Sequence, residues 1–101
     1  MLELGHYVYI VKCSDDTFYI GYARDVSKRI NEHNTTNKGA KYTRGRRPVK
    51  LVFYDSFKTR SEALKYEHAL KRKKRSEKEE LVNNFDKLAF EGFDLKTSES
   101  T

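Results

Sequence analysis

His6-Tyr7-Val8-Tyr9-Ile10-Val11-Lys12-Cys13, then Ser14-Asp15-Asp16, then Thr17-Phe18-Tyr19-Ile20-Gly21-Tyr22-Ala23, is the stretch whose reading decides the fold. Both flanks are rich in β-branched and aromatic residues, alternate with period two, and read as strands over 6–13 and 17–23. The polar tripeptide between them is a turn. Register then matters. Pairing Cys13 with Thr17 across a three-residue loop brings Val11 opposite Tyr19 and Tyr9 opposite Gly21, so both tyrosines face one side of the sheet. A two-residue turn at Asp15-Asp16 would put them on opposite faces.

Outward from this hairpin, Asp25 is a candidate N-cap for a helix over about 26–34, with Val26 and Ile30 at i and i+4. Residues 35–48 carry Asn, Thr, Gly39, Gly45 and the single proline, Pro48, and read as a loop. Leu51-Val52-Phe53-Tyr54 is a third strand. Thr59-Arg60-Ser61-Glu62 matches a capping box that opens a helix through about residue 74. Ser76-Glu77-Lys78-Glu79 matches a second, opening a helix over about 77–90 with Leu81, Val82, Phe85, Leu88 and Ala89 on one face and Gly92 as its stop. The order β-β-α-β-α-α predicts an α+β domain, a small three-stranded antiparallel sheet flanked by helices, over residues 1–95 with a frayed tail at 96–101.

The charge is uneven. Net charge is +6, yet residues 76–101 hold seven acidic and three basic side chains, which leaves +10 on residues 1–75. Such asymmetry favours a polyanionic partner. No acidic residue falls between Asn34 and Tyr54, where Lys38, Lys41, Arg44, Arg46, Arg47 and Lys50 gather around Tyr42, a candidate for stacking on bases. Lys71-Arg72-Lys73-Lys74-Arg75 adds a second basic run, which a solvated helix face explains as well as binding does. The candidate nucleic-acid contacts are therefore Lys38, Lys41, Tyr42, Arg44, Arg46, Arg47, Lys71 and Arg72. One cysteine, Cys13, excludes an internal disulfide and suits a reducing cytoplasm, where a small buried residue is its simplest role. The apolar runs are far too short to span a bilayer, so no membrane partner is expected, and a monomer is the default.

Hydrolysis of a phosphodiester needs an activated water, charge stabilisation at phosphoryl oxygens and help for the departing oxygen. Arg29 and His33, at i and i+4, put a permanent cation and an imidazole on one helix face. Glu67 lies four residues from Ala63 and three from Leu70, beside the apolar stripe of Ala63, Tyr66 and Leu70 with Leu64 adjacent. It is either an inward carboxylate whose partner is a divalent cation, with waters and substrate oxygens completing the shell as Mg²⁺ prefers, or half of an i,i+4 pair with Lys71. A tyrosine serves as a base only where positive charge lowers its pKa.

The set Tyr7-Val8-Tyr9, Tyr19-Ile20-Gly21, Arg29, His33 and Glu67 resembles the catalytic set of the GIY-YIG nuclease superfamily. Tyr9 matches the tyrosine of the first motif, Tyr19 and Gly21 the tyrosine and glycine of the second, Arg29 the helix arginine and Glu67 the metal-binding glutamate. His33 matches a histidine of some branches. The likeness spans residues 6 to about 75 and is strongest to short stand-alone bacterial members, in Gly39-Ala40-Lys41-Tyr42-Thr43-Arg44-Gly45-Arg46-Arg47-Pro48 and Glu67-His68-Ala69-Leu70-Lys71. Tyr7 stands where the family name has its first glycine. The asparagine that several branches place after the glutamate has no match, since Asn83 and Asn84 fall on another helix. The resemblance implies a Mg²⁺-dependent nuclease acting on nucleic acid, DNA before RNA, with Tyr9, Tyr19, Arg29, His33 and Glu67 as catalytic residues and Glu67 as metal ligand. The rival readings are a nucleic-acid-binding module of the same fold with little turnover, and a protein-interaction domain using the acidic C-terminal helix.

Overall fold

A computed structural model describes residues 4–36 and 38–86. Strand β1 (His6–Lys12) pairs antiparallel with β2 (Phe18–Ala23) on one side and β3 (Lys50–Phe57) on the other, giving the order β2-β1-β3. The hairpin takes the three-residue-loop register, with Tyr9 opposite Gly21, Val11 opposite Tyr19 and the Cys13 amide bonded to the Thr17 carbonyl. Asp16 takes a positive φ of 67° in the turn, and Asp15 accepts from both the Thr17 amide and its hydroxyl. β3 is longer than the apolar run that marks it, and its pairing with β1 shifts register between Ile10 and Val11.

The central strand is covered on both faces. Tyr7, Tyr9, Val11 and Cys13 form one core with Ala23, Val26 and Val49, and α1 (Val26–Thr35) lies over it with Ile30. Val8, Ile10, Ile20 and Phe53 form the other with Ala63 and Leu70 of α3 (Arg60–Lys71). The last described helix, α4 (75–86), adds Leu81, Val82 and Phe85 to that second core. Asp25 caps α1 by accepting from the Lys28 amide at 3.0 Å, and Thr59 caps α3 by accepting from the Glu62 amide at 3.1 Å. Cys13 is buried and burial pushes its thiol up, as suits an inert core residue.

Three local expectations are corrected. Residues 35–48 are not wholly loop, because α2 (Lys41–Arg44) forms one helical turn with Thr43 buried beneath it. The second capping box sits two residues earlier than Ser76, since the Glu77 carboxylate reaches back to the Lys74 amide at 3.0 Å and α4 starts at residue 75. Leu64 faces outward and is exposed, so the inward stripe of α3 is Ala63 and Leu70 with Tyr66 at its border. The expected continuation of α4 to residue 90, the stop at Gly92 and the tail at 96–101 lie outside the described residues. Among the described residues no helix is long and apolar enough to cross a membrane.

Gly21 is demanded by its neighbour across the hairpin. A Cβ there would stand 2.5 Å from the Tyr9 hydroxyl oxygen and 2.7 Å from Cζ. The Tyr9 ring therefore lies directly across the Gly21 backbone, and being almost wholly buried it has nowhere to retreat. Gly21→Ala should lower stability by about 1–3 kcal/mol, the usual penalty for forcing extra volume into a packed core. Urea denaturation measures this, and an unperturbed midpoint would show that the ring is free to move.

Candidate active site

The phenol of Tyr9 is the point at which the separate candidates meet. Its oxygen lies 2.7 Å from His33 Nε2 in a buried hydrogen bond. The Arg29 guanidinium lies near enough to favour ionisation of this hydroxyl, while Tyr19 and Glu67 oppose it. The hairpin register supplies Tyr9 and Tyr19 to one face, with ring centroids 6.5 Å apart. Helix α1 follows β2 after a short link capped by Asp25, and its i,i+4 spacing brings Arg29 and His33 over that face. His33 packs edge-on against both tyrosines, at 5.8 Å from Tyr9 and 5.4 Å from Tyr19. Glu67 comes from α3, which packs on the other face, and its half-buried carboxylate is near enough for its charge to raise the Tyr9 pKa.

Electrostatics sort the roles. Burial is the main force lifting the Tyr9 phenol well above its ordinary value, the charge of Tyr19 adds to it, and Arg29 pulls the other way. His33 is fully buried and is pushed down to about 4, first by burial and then by the Arg29 charge, against an upward pull from Glu32. At neutral pH the pair is a neutral phenol beside a neutral imidazole. The lowered phenol that a tyrosine base requires is not met at Tyr9 in the resting protein. The hydroxyl of Tyr19 is only partly covered and makes no hydrogen bond among the described residues.

Arg29 is fixed as well as charged: its Nη1 donates to Glu32 Oε1 at 3.2 Å and to the Lys38 carbonyl at 2.7 Å. Glu67 has a partner, Lys71, at 3.3 Å, so the i,i+4 pair exists alongside the inward placement. Lys71 is mostly solvated and Glu67 is not, which makes the carboxylate the anchored member. Among the described residues no three or more His, Cys, Asp or Glu side chains gather as a metal cage. A single anchored carboxylate is an oxygen donor of the kind that hard divalent ions take together with water.

The cations of the basic loop divide by what their side chains meet. Arg46 pairs with Asp15 at 3.0 Å, donates to the Tyr42 carbonyl and covers the Tyr42 ring at 4.0 Å from its centroid. Arg47 donates to the carbonyls of His33 and Thr36 at the end of α1. These two arginines, expected among the phosphate contacts, are spent holding the loop against the hairpin and helix. Tyr42 stacks on Tyr19, with centroids 6.0 Å apart, and is 40% exposed. Lys38, Lys41 and Arg44 are exposed, and their side chains make no ion pair or hydrogen bond among the described residues. Arg72 is exposed at the end of α3, and Lys71 belongs with Glu67.

Residues that sequence reading missed are the ones holding this arrangement. The Asn34 side-chain amide donates to the Val49 carbonyl and accepts from its amide, at 3.0 and 2.7 Å, much as a neighbouring strand would. Glu32 tethers Arg29. Thr43, fully buried, places its hydroxyl 2.9 Å from His33 Nδ1. Gly39 lets the loop pass α1 closely, since a Cβ there would come within 2.8 Å of His33 Cα. Their only signal was a glycine-punctuated loop with polar residues at unassigned positions.

Residues 5–80 match the family described as the GIY-YIG catalytic domain. A UPF0213 protein of Haloquadratum walsbyi is 55% identical over 77 residues, covering 76% of this chain and 85% of that protein. A UPF0213 protein of Staphylococcus saprophyticus is 53% identical over 78 residues, covering 77% and 94%. Among solved structures, the solution NMR structure of a UPF0213 protein from Bacillus halodurans is similar with 47% identity and a TM-score of 0.50, covering 77% of this chain and 82% of that one. A second, of a protein from E. faecalis, has 43% identity and a TM-score of 0.58, covering 84% and 92%.

Two outcomes follow from this geometry. Because His33 is held low in the fold, the unfolded chain binds a proton that the folded chain refuses between its ordinary pKa of 6.5 and about 4. Stability from this residue is complete above pH 6.5 and is lost as pH falls through that window, by about 3 kcal/mol in all. Urea titrations at pH 7 and 4.5 measure the slope, and His33→Asn should flatten it. Separately, Arg47→Ala should destabilise by about 2 kcal/mol by stripping two carbonyls of a charged donor. Lys41→Ala or Arg44→Ala should stay within about 0.5 kcal/mol.

Proposed function

The chain belongs to the GIY-YIG family, a nuclease superfamily, and from that premise we propose that it is a cytoplasmic, divalent-metal-dependent endonuclease hydrolysing phosphodiester bonds in nucleic acid, DNA before RNA. The observation that carries this reading is the gathering of Tyr19, Arg29, His33 and Glu67, from one strand and two helices, around Tyr9, whose hydroxyl meets His33 at 2.7 Å. Arg29, oriented by Glu32 and the Lys38 carbonyl, offers its charge to a phosphoryl oxygen. Tyr19 takes the reacting water, since its hydroxyl is unengaged. Tyr9, almost wholly buried, backs that site and holds the imidazole beside the Tyr19 ring.

Glu67 is the residue that would hold Mg²⁺, in exchange for Lys71, with water and substrate oxygens completing the shell. The ion when bound supplies Lewis acidity at the phosphate and stabilises the departing oxygen. Glu67 also acts on Tyr9 directly. Its charge helps hold the phenol up, so screening of that carboxylate by a cation brings Tyr9 closer to ionisation. His33 holds the Tyr9 hydroxyl in place from the buried side. Lys38, Lys41 and Arg44 are the cations free to meet the backbone of a bound strand.

A second reading, a binding module with little turnover, draws on two observations: the resting Tyr9 phenol lies far above neutrality and Glu67 already has a cationic partner. Labelled single-stranded, duplex and branched DNA, and RNA, incubated with Mg²⁺ or chelator, separate the two. The expected result is cleavage in Mg²⁺ only, falling at least about 10²-fold in Glu67→Gln and in Tyr19→Phe with thermal stability retained. Absence of metal-dependent cleavage on all four substrates hands the protein to the binding reading. Full activity in Glu67→Gln removes Glu67 from the metal.

A further inference from the structure

Thr43 and His33 are the two buried polar side chains among the described residues, and they are bonded to each other. The Thr43 hydroxyl has one proton and two neighbours at 2.9 Å, the Ala40 carbonyl and His33 Nδ1. A carbonyl can only accept, and that of Ala40, which already takes the Thr43 amide at 3.0 Å, has a second lone pair for the hydroxyl proton. The buried 2.9 Å contact between Thr43 and Nδ1 must then hold a proton of its own, and the imidazole has to supply it. The Ala40 amide also points at Nδ1, but at 3.4 Å it is much the longer of the two contacts, and the 2.9 Å approach of Thr43 outweighs it. With its single proton at Nδ1, a neutral ring presents a bare Nε2 at 2.7 Å from the Tyr9 oxygen.

We propose that Thr43 is a positioning residue: it holds His33 as the Nδ1–H tautomer and so makes Nε2 the acceptor of the Tyr9 hydroxyl proton. Tyr9 then donates inward to His33, which leaves its oxygen lone pairs turned to the Arg29 charge. In the other tautomer Nε2–H would donate to that oxygen and fill one of those positions. The one-turn helix α2 and the close passage at Gly39 exist, on this account, to deliver one hydroxyl to the back of one imidazole. The catalytic meaning of this arrangement rests on the nuclease reading, whereas the tautomer itself does not.

The test is the ¹⁵N spectrum of the His33 side chain in the full chain at pH 7. Wild type should show a protonated, pyrrole-type Nδ1 and a bare, pyridine-type Nε2. Thr43→Ser, which keeps the hydroxyl, should preserve that pattern. Thr43→Val, which keeps the shape and loses the hydroxyl, should move the proton to Nε2 and lower cleavage by about 10–100-fold with KM little changed, the scale seen when an orienting partner is removed. Wild type with its proton at Nε2 overturns the proposal whatever the variants do. Retention of Nδ1–H in Thr43→Val also overturns it, since another group would then be setting the tautomer. If wild type cleaves nothing, the nuclease reading fails while the spectrum still decides the role of Thr43.

Discussion

The contact between the Tyr9 hydroxyl and His33 Nε2 is the constraint around which the rest of this fold is arranged. A buried phenol and a buried imidazole each need a partner, and each is the other's. To reach it, Tyr9 must lie flat across its hairpin neighbour, which admits only glycine at position 21. To meet it, His33 must sit on the helix that immediately follows β2, and its second nitrogen must be satisfied from beyond. That last requirement accounts for the loop after α1, which is folded back and pinned by Arg47, Asn34 and the Arg46–Asp15 pair.

This dependence explains why the polar centre sits on one face of the sheet and the purely apolar packing on the other. The face beneath α3 is built from Val8, Ile10, Ile20, Phe53, Ala63 and Leu70 and, among the described residues, holds no buried polar side chain. The opposite face mixes Val11, Val26 and Val49 with tyrosines and the imidazole. Low dielectric there is what keeps His33 neutral and Tyr9 protonated. It also strengthens every charge that acts on the site, Arg29 and Glu67 among them.

What the sequence disclosed and what it concealed divide along a physical line. Period-two alternation and a three-residue polar turn were enough to set the hairpin register, because a one-residue slip would expose an entire hydrophobic face. Asp25 and Thr59 announced their helices because capping depends on local side-chain reach. Tyr9 and the four residues gathered around it were picked out by spacing and family likeness together. The loop could not. Whether an arginine meets solvent or a helix carbonyl depends on where the chain returns, and nothing local separates Arg44, which is exposed, from Arg47, which is not. Thr43 was silent for the same reason, and the box at Ser76 misled because Glu77 found an earlier amide.

The division of the centre between the two faces has a meaning for the order in which it is made. Residues 6–49 contain everything needed for the aromatic and imidazole half, and they leave the ribosome first. Strand β3 and the acid on α3 come later, and Glu67 reaches the Tyr9 neighbourhood only once α3 has docked on the far side of the sheet. A nascent or clipped chain that lacks α3 would have the phenols and the guanidinium without the carboxylate. Completion of the tertiary fold is thus what joins the carboxylate to the phenols and the guanidinium.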